Sequence, residues 1–424
     1  MPWWRTSAVW LIGWLAVALA VRLGAACVVE QIVSATPGRL CLIEGDASGY
    51  WELGGDLARG DDYSIYDPPR RILRMPGFPL ILAACRRCFG DQVFPVRCVL
   101  ALLGTIGCGC VYVLGRELTD PTVGLWACAI VSLSPPLVAF TPLLLTEATF
   151  AAALVASLIP VVRLFRTIAR PAPTPGAQYF SSFACGLAIA VATYIRPTWL
   201  PAAGIVAVGL IASGPTARAR WIEAGLVVAS CGLLLAPWTY RNYNVCGHLV
   251  PTTLWVGPSL YDGLNPNATG DSDLDFFDRE NLLATMSEYD MDREYRRRAW
   301  AFVAAEPLKT VELAVIKAGR YWSPWPNAAQ FDRPWLGLGL MAATLPLYAL
   351  ALVGLFQRRR DTLFAAVTLG PAVFFCLVHM LFVGSIRYRL PADALLAVAA
   401  ACGAVGLWRR QFLVRDERNS SWAN

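Results

Sequence analysis

Apolar residues run through this chain in blocks rather than in alternation. Ten blocks stand out, at 8–31, 96–116, 123–140, 144–165, 180–195, 198–213, 222–238, 335–356, 363–384 and 391–408. Crossing the hydrocarbon core takes about 20 apolar residues in a helix, and most of the blocks come close to that, although several are short or broken by proline. Of the 424 residues, 56% are hydrophobic and 16% charged, with a mean hydropathy of +0.49. Soluble domains carry roughly 25% charged residues, so lipid must do much of the solvating here. The pattern predicts an all-α polytopic membrane protein of about ten transmembrane helices, with two long external loops, 32–95 and 239–334, carrying short interfacial helices. The first block is longer than a signal-peptide core of about 7–15 residues. Gly24 in "LGAAC" stands where a lipobox wants leucine, so a retained first span is expected.

Charge gives the spans a direction. Lys and Arg favour cytoplasmic connections, and the net charge of +6 is mostly arginine. With the N-terminus inside, the cytoplasmic connections hold Arg166 and Arg170, Arg218 and Arg220, Arg358, Arg359 and Arg360, and the tail from Arg409. In "RELTDP" (116–121) the acids cancel the base. Residues 1–408 read as one membrane domain and 409–424 as a short cytoplasmic tail. Both termini are cytoplasmic, and any active site lies on the periplasmic or extracellular face of the cell membrane. The Pro-rich 169–178 reads as a flexible connection.

Candidate chemistry gathers on the external side. In "GDASGYWELGGDLARG" (45–60), Tyr50, Leu53 and Leu57 recur at helical spacing and Gly60 makes a natural stop, so a short amphipathic surface helix is expected. Asp46 sits at its head, as either a cap on backbone N–H groups or a catalytic carboxylate; Glu52 and Asp56 read as solvated. Arg74 in "RMPGFPLIL", Arg196 in "YIRPT", Arg241, and Arg387 and Arg389 in "GSIRYRLP" all map to the external boundary, against the positive-inside trend. One such arginine would be ordinary snorkelling. Five suggest a bound anion, and the guanidinium fork suits the phosphate of a lipid. Glu147, in "LLLTEATF", enters the fourth block just below the surface, where an unpaired carboxylate costs several kcal/mol. It is a functional candidate, or else a helix-start acid favoured by the macrodipole. A base to take a hydroxyl proton and cations to meet charge on a leaving phosphate suit group transfer from a lipid-linked phosphate.

These stretches, with "PWTYRNYNVCGHLVP" (237–251), occur in the order and places found in the C-superfamily membrane glycosyltransferases. The chain resembles the group that includes the protein O-mannosyltransferases and the bacterial aminoarabinose transferase of lipid A, over roughly residues 10–408. The resemblance implies that Asp46 is the general base of an inverting transferase and that Glu147 lines the same cavity. It implies phosphate contacts for Arg74 and the arginines of "RYRLP", and a polyprenyl-phosphate monosaccharide as donor. The acceptor would be a lipid, glycan or protein hydroxyl; no nucleic-acid partner is implied. No large soluble domain follows the last block, as it does in some relatives.

Other signals carry less. Cys85 and Cys88 form the lone CxxC pair, and with only His248 and His379 in the chain they read as unpaired thiols. Asp271, Asp273 and Asp275 alternate in "GDSDLDFFD" (270–278), but Phe276 replaces the turn glycine of a calcium loop. A solvated acidic loop is expected, with a divalent-cation or acceptor-positioning role left open. No metal-ligand set and no certain cofactor are assigned. "GLGLMA" (337–342) follows no strand and is no dinucleotide motif; "WPNAAQFDRPW" (325–335) is expected at the membrane interface. The rival readings are a secondary transporter and a non-catalytic lipid-phosphate-binding membrane protein.

Overall fold

The computed structural model describes residues 3–169, 175–214, 217–327, 331 and 333–421. Among them there is no strand, only an isolated antiparallel bridge between Ile65 and Arg70. Of the Pro-rich connection expected at 169–178, residues 170–174 lie outside the described residues, while 175–178 are the start of a helix rather than a flexible link.

Helix α1 (Trp3–Ser34) leads into a connection that folds as α2 (Asp46–Arg59) and α3 (Gly77–Phe89). Gly45 precedes α2 with φ 78° and Gly60 ends it in the left-handed region, backbone that only glycine adopts freely. Gly54 and Gly55 let α3 press close, for a Cβ on Gly54 would stand 2.7 Å from Leu82 Cβ. Asp56, expected to be solvated, is instead buried, with Arg59 on its carboxylate at 2.8 Å.

The chain then re-enters the bundle as α4 (Val93–Leu118), α5 (Pro121–Leu133), α6 (Pro135–Phe140) and α7 (Thr146–Ile168). Asp120 caps α5, accepting from the N–H groups of Thr122 and Val123 at 2.9 and 3.2 Å. The block at 123–140 is thus two helices, and the reason is local. Pro135 and Pro136 bring no N–H, so the carbonyls of Val131 and Ser132 lose their i+4 donors. Arg22 of α1, 2% exposed, supplies both, at 3.1 and 3.2 Å.

Next come α8 (Pro175–Ile195), a 3-10 turn at Pro197–Trp199, α9 (Pro201–Ala212) and α10 (Ala217–Cys246). The second long connection forms α11 (Val256–Gly263), α12 (Asp275–Glu280), α13 (Leu282–Thr285), α14 (Glu288–Ala305) and α15 (Pro307–Trp322). The last helices are α16 (Pro334–Gln357), α17 (Thr362–Thr368), α18 (Gly370–Leu381) and α19 (Ile386–Ser421).

Seven helices among the described residues are long and apolar enough to span a membrane, and eight if α17 and α18, bent by 46°, count as one. The blocks at 123–140 and 198–213 fall on shorter apolar helices, Pro121–Leu133 and Pro197–Ala212. All ten blocks are therefore helical, but the ten-span count is not reproduced by length. Helix α19 forms the axis: its Ala392–Ala401 stretch is 5% exposed or less at every residue, whereas α16 turns Leu338, Leu345, Leu352 and Phe356 outward. It also continues without a break past Arg409, where a separate tail was expected.

Both long connections lie at one end of the bundle. At the other, Arg163 meets Glu117 at 3.0 Å, Arg409 meets Asp120 at 2.9 Å and Arg358 donates to the Leu118 carbonyl.

Candidate active site

At the end that carries the long connections, four distant segments converge on a row of charges. Asp46 is the first residue of α2, yet its carboxylate caps no backbone N–H. It turns instead to two guanidinium groups: Oδ1 accepts from Arg74 Nη2 at 2.5 Å and Oδ2 from Arg387 Nη2 at 2.9 Å. Arg387 also donates through Nε to Glu147 Oε1. Arg196 Nη2 reaches that same oxygen at 2.6 Å, and its Nε donates to Thr146 Oγ1 at 2.9 Å. The sequence along the row is Arg74, Asp46, Arg387, Glu147, Arg196, with signs alternating throughout.

Local structure explains each position. Glu147 enters one residue into α7, at the end of an apolar helix long enough to span a membrane, and is fully buried, with both arginines on one oxygen. Its other oxygen, Oε2, has no hydrogen-bond partner. Arg387 sits at the start of α19 and Arg196 just after α8, so both project from the rim of the bundle. Aromatic rings flank the row: Arg74 lies 5.4 Å from the centroid of Tyr50 and 5.8 Å from Trp255, and Arg196 lies 5.7 Å from Tyr388. Burial would raise the Asp46 carboxyl, but Arg74 and Arg387 overrule it and hold it down at about 2. Burial opposes charge on Arg74 as well, and Asp46 reverses that, so the guanidinium stays charged.

Two of the five arginines read as a set from the sequence lie apart from the row. Arg241 donates to the carbonyls of Arg71 and Tyr63, at 2.5 and 3.4 Å, and stacks on Tyr63 and Trp238. It fastens the hairpin at 63–71. Arg389, 1% exposed, is bound to Asp393 at 3.0 Å and to the carbonyls of Tyr321 and Ser323 at the end of α15. Arg387 and Arg389 lie two residues apart on a helix, about 200° around the axis, so they cannot face one cavity.

Some supporting residues were not singled out from the sequence. Tyr388 was quoted within "RYRLP" without a role; its ring stacks on His379 at 4.0 Å. Lys317, fully buried, donates to the carbonyls of Gly263 and Leu381 at 2.6 and 3.1 Å, fixing the segment that leads into Arg387. Burial lowers its ammonium to about 8, against the pull of Asp262. A lone lysine in a polar connection gives no sequence signal of burial. The acidic loop is ordered by Asp262, which accepts from Ser272 and the Asp273 N–H, while Asp271 meets Arg320 at 2.7 Å. Among the described residues no group of three or more His, Cys, Asp or Glu is placed to hold a metal ion.

Comparison with known proteins places this architecture. Residues 69–240 match the model of a family described as dolichyl-phosphate-mannose-protein mannosyltransferase. Among curated proteins, none matches the chain. The archaeal oligosaccharyltransferase AglB from Archaeoglobus fulgidus, solved with an inhibitory peptide and a dolichol-phosphate, is 13% identical. It aligns over 97% of this chain and 52% of its own, with a TM-score of 0.59. The apo form from the same organism gives 13% identity, the same coverage of 97% and 52%, and a TM-score of 0.60. ArnT from Cupriavidus metallidurans, bound to undecaprenyl phosphate, is 15% identical over 93% of this chain and 77% of its own, at a TM-score of 0.45. The chain spans about half the length of the oligosaccharyltransferase it matches. It shares the fold of that archaeal oligosaccharyltransferase.

Proposed function

We propose that this chain, built on the C-superfamily glycosyltransferase fold, is an inverting transferase. It moves a monosaccharide from a polyprenyl-phosphate donor to an acceptor hydroxyl at the end of the bundle that carries Asp46. The observation that carries this reading is the alternating row. Three cations against two carboxylates leave one positive charge at the membrane boundary, and a lipid phosphodiester brings one negative charge. The family matched at residues 69–240 is described by a dolichyl-phosphate donor, and AglB was solved with a dolichol-phosphate.

The chemistry follows from the partners. Asp46 takes the proton of the acceptor hydroxyl as its oxygen attacks the anomeric carbon. The bond from that carbon to the phosphate oxygen breaks in the same displacement, so the anomeric configuration inverts. Polyprenyl phosphate leaves with the bonding pair, and the extra charge is met by Arg387, Arg196 and Arg74. Phosphate is a good leaving group and needs no proton from an acid.

The resting row also restrains the base. With two guanidinium groups on it, Asp46 is held at about 2 and is a weak proton acceptor. An arriving phosphate competes for Arg387 and Arg74, and each bond it takes over raises the basicity of Asp46. Donor binding therefore switches the base on, while Glu147 keeps Arg196 and Arg387 at the phosphate.

Sidedness follows the charges. Arg166, Arg218, Arg220, Arg358, Arg359, Arg360 and Arg409 belong to the opposite end, so we place that end in the cytoplasm and the row on the external face. Residues 1–408 act as one catalytic unit in this reading.

The test is turnover in lipid nanodiscs with a panel of radiolabelled polyprenyl-phosphate sugars. Label should leave the lipid with wild-type protein, and Asp46→Asn should slow this by about 10²–10⁴-fold. If wild type consumes no donor across the panel, the transferase reading falls and transport assays replace it.

A further inference from the structure

Tyr66 and Asn281 are the non-glycine residues among those described whose φ is positive, at 72° and 46°. For an aromatic residue this backbone is unfavourable and persists only where the surroundings impose it. The surroundings of Tyr66 do so. Ile65 and Arg70 exchange both backbone hydrogen bonds, at 3.0 and 2.8 Å, closing a tight hairpin beneath it. Arg70 reaches the carbonyls of Leu283 and Met286 in the second long connection. The N–H groups of Arg71 and Ile72 donate to Glu288 at 2.9 and 2.8 Å. Arg241 clamps the hairpin from the other side.

All this bracing holds one ring in the open. Tyr66 is 52% exposed, an unusual state for an aromatic so firmly placed. Its inner edge meets Phe277 of α12, with centroids 6.5 Å apart. Phe277 meets Trp255 at 5.2 Å, and Trp255 lies under Arg74. An aromatic wall thus runs from the solvent to the guanidinium that holds Asp46, and the Tyr66 phenol feels the charges of Arg74 and Asp46. In the transferase reading the Arg196 and Glu147 end of the row, beside the start of the apolar helix α7, receives the lipid phosphate. The aromatic wall stands at the other end, beside Arg74, and in that reading is left for the acceptor.

We propose that Tyr66 is a specificity-determining residue that stacks an acceptor pyranose ring and presents one of its hydroxyls to Asp46. The acceptor is then a glycan or glycoside. A flat π face complements the C–H face of a sugar ring, and the exposed carboxylates of Asp278 and Glu52, whose charges reach Tyr66, suit its hydroxyls. The proposal rests on the transferase reading for the role of Asp46, but the stacking can be measured without turnover.

The experiment is saturation-transfer NMR on the full chain in nanodiscs, with methyl α-D-mannopyranoside and an unglycosylated Gly-Ser-Thr-Gly peptide as probes. Wild type should transfer saturation to the ring protons of the glycoside and not to the peptide. Tyr66→Ala and Tyr66→Gly should each reduce the glycoside signal by about fivefold or more, and Tyr66→Phe should restore it. Glycine accepts the backbone freely, so a loss there reports the missing ring rather than strain or misfolding. Equal signals in wild type, Tyr66→Ala and Tyr66→Gly overturn the proposal, as does saturation of the peptide alone. Glycoside stacking with no donor turnover in wild type would sink the transferase reading and leave the platform standing.

Discussion

Asp46 owes its properties to the two arginines on it, and that makes its behaviour with pH testable. Its carboxyl is held below its ordinary value, so its ion pairs are fully formed above about pH 4 and are lost as pH falls through about 2. In the proposed mechanism the donor phosphate draws those arginines away. The acid limb of kcat, which reports the donor complex, should then lie at higher pH than the limb of kcat/KM, which reports the free protein. Coincident limbs in the pH–rate profiles would contradict the switch. Glu147→Gln should raise the donor KM and lower kcat by about 10–100-fold, because Arg196 and Arg387 are then no longer held at the phosphate and Arg387 settles on Asp46; unchanged KM and kcat would mean that Glu147 acts otherwise. Arg389 behaves differently from its neighbour Arg387. Arg389→Ala leaves Asp393 buried and unpaired, which should cost about 3–5 kcal/mol of stability, read as a fall in Tm, with the donor affinity of the folded protein retained.

At the level of elements, α2 was legible because its apolar period, its head and its stop residue agree. Its glycines were quoted in the sequence, but their use was not, since close approach needs a partner and α3 supplies it. Gly54→Val should therefore overpack the α2–α3 contact by about 1–3 kcal/mol, measured by thermal unfolding. It should also depress turnover by shifting Asp46; an unchanged Tm would show that the two helices part freely. The break between α5 and α6 is a second case. Two adjacent prolines announce a break, but nothing nearby in sequence says that Arg22, more than a hundred residues away, covers the freed carbonyls. Arg22→Leu should uncover both and cost about 2–6 kcal/mol. The second long connection was the least legible part. Its five helices are placed by contacts between distant residues, such as Asp292 with the Gly257 N–H at 2.6 Å and Lys317 with three carbonyls.

Across the whole molecule, the two ends of the bundle carry different charge chemistry, and orientation can be checked through a native thiol. Cys88, at the end of α3, is exposed, whereas Cys85 beside it is buried. A membrane-impermeant maleimide added to intact cells should label Cys88, and Cys88→Ser should reduce that label, leaving what the partly exposed Cys246 of the same side contributes. Labelling that appears only after permeabilisation would reverse the proposed sidedness. Membrane class, the positions of the apolar helices and the two long connections between them were decided by the sequence alone. Hydropathy and helical period are local properties, and a bilayer reads them one segment at a time. Asp46, Glu147 and five boundary arginines could be named from the same local signals, because charge beside an apolar span is conspicuous. Which arginines share a cavity was decided only by the tertiary structure. Arg387 and Arg389 differ by two residues in sequence but by more than half a turn on α19, and Asp46 meets Arg387 across most of the chain. The alternating row exists because helix packing brings four distant segments to one rim, and pairing among charges depends on that distance and direction rather than on composition.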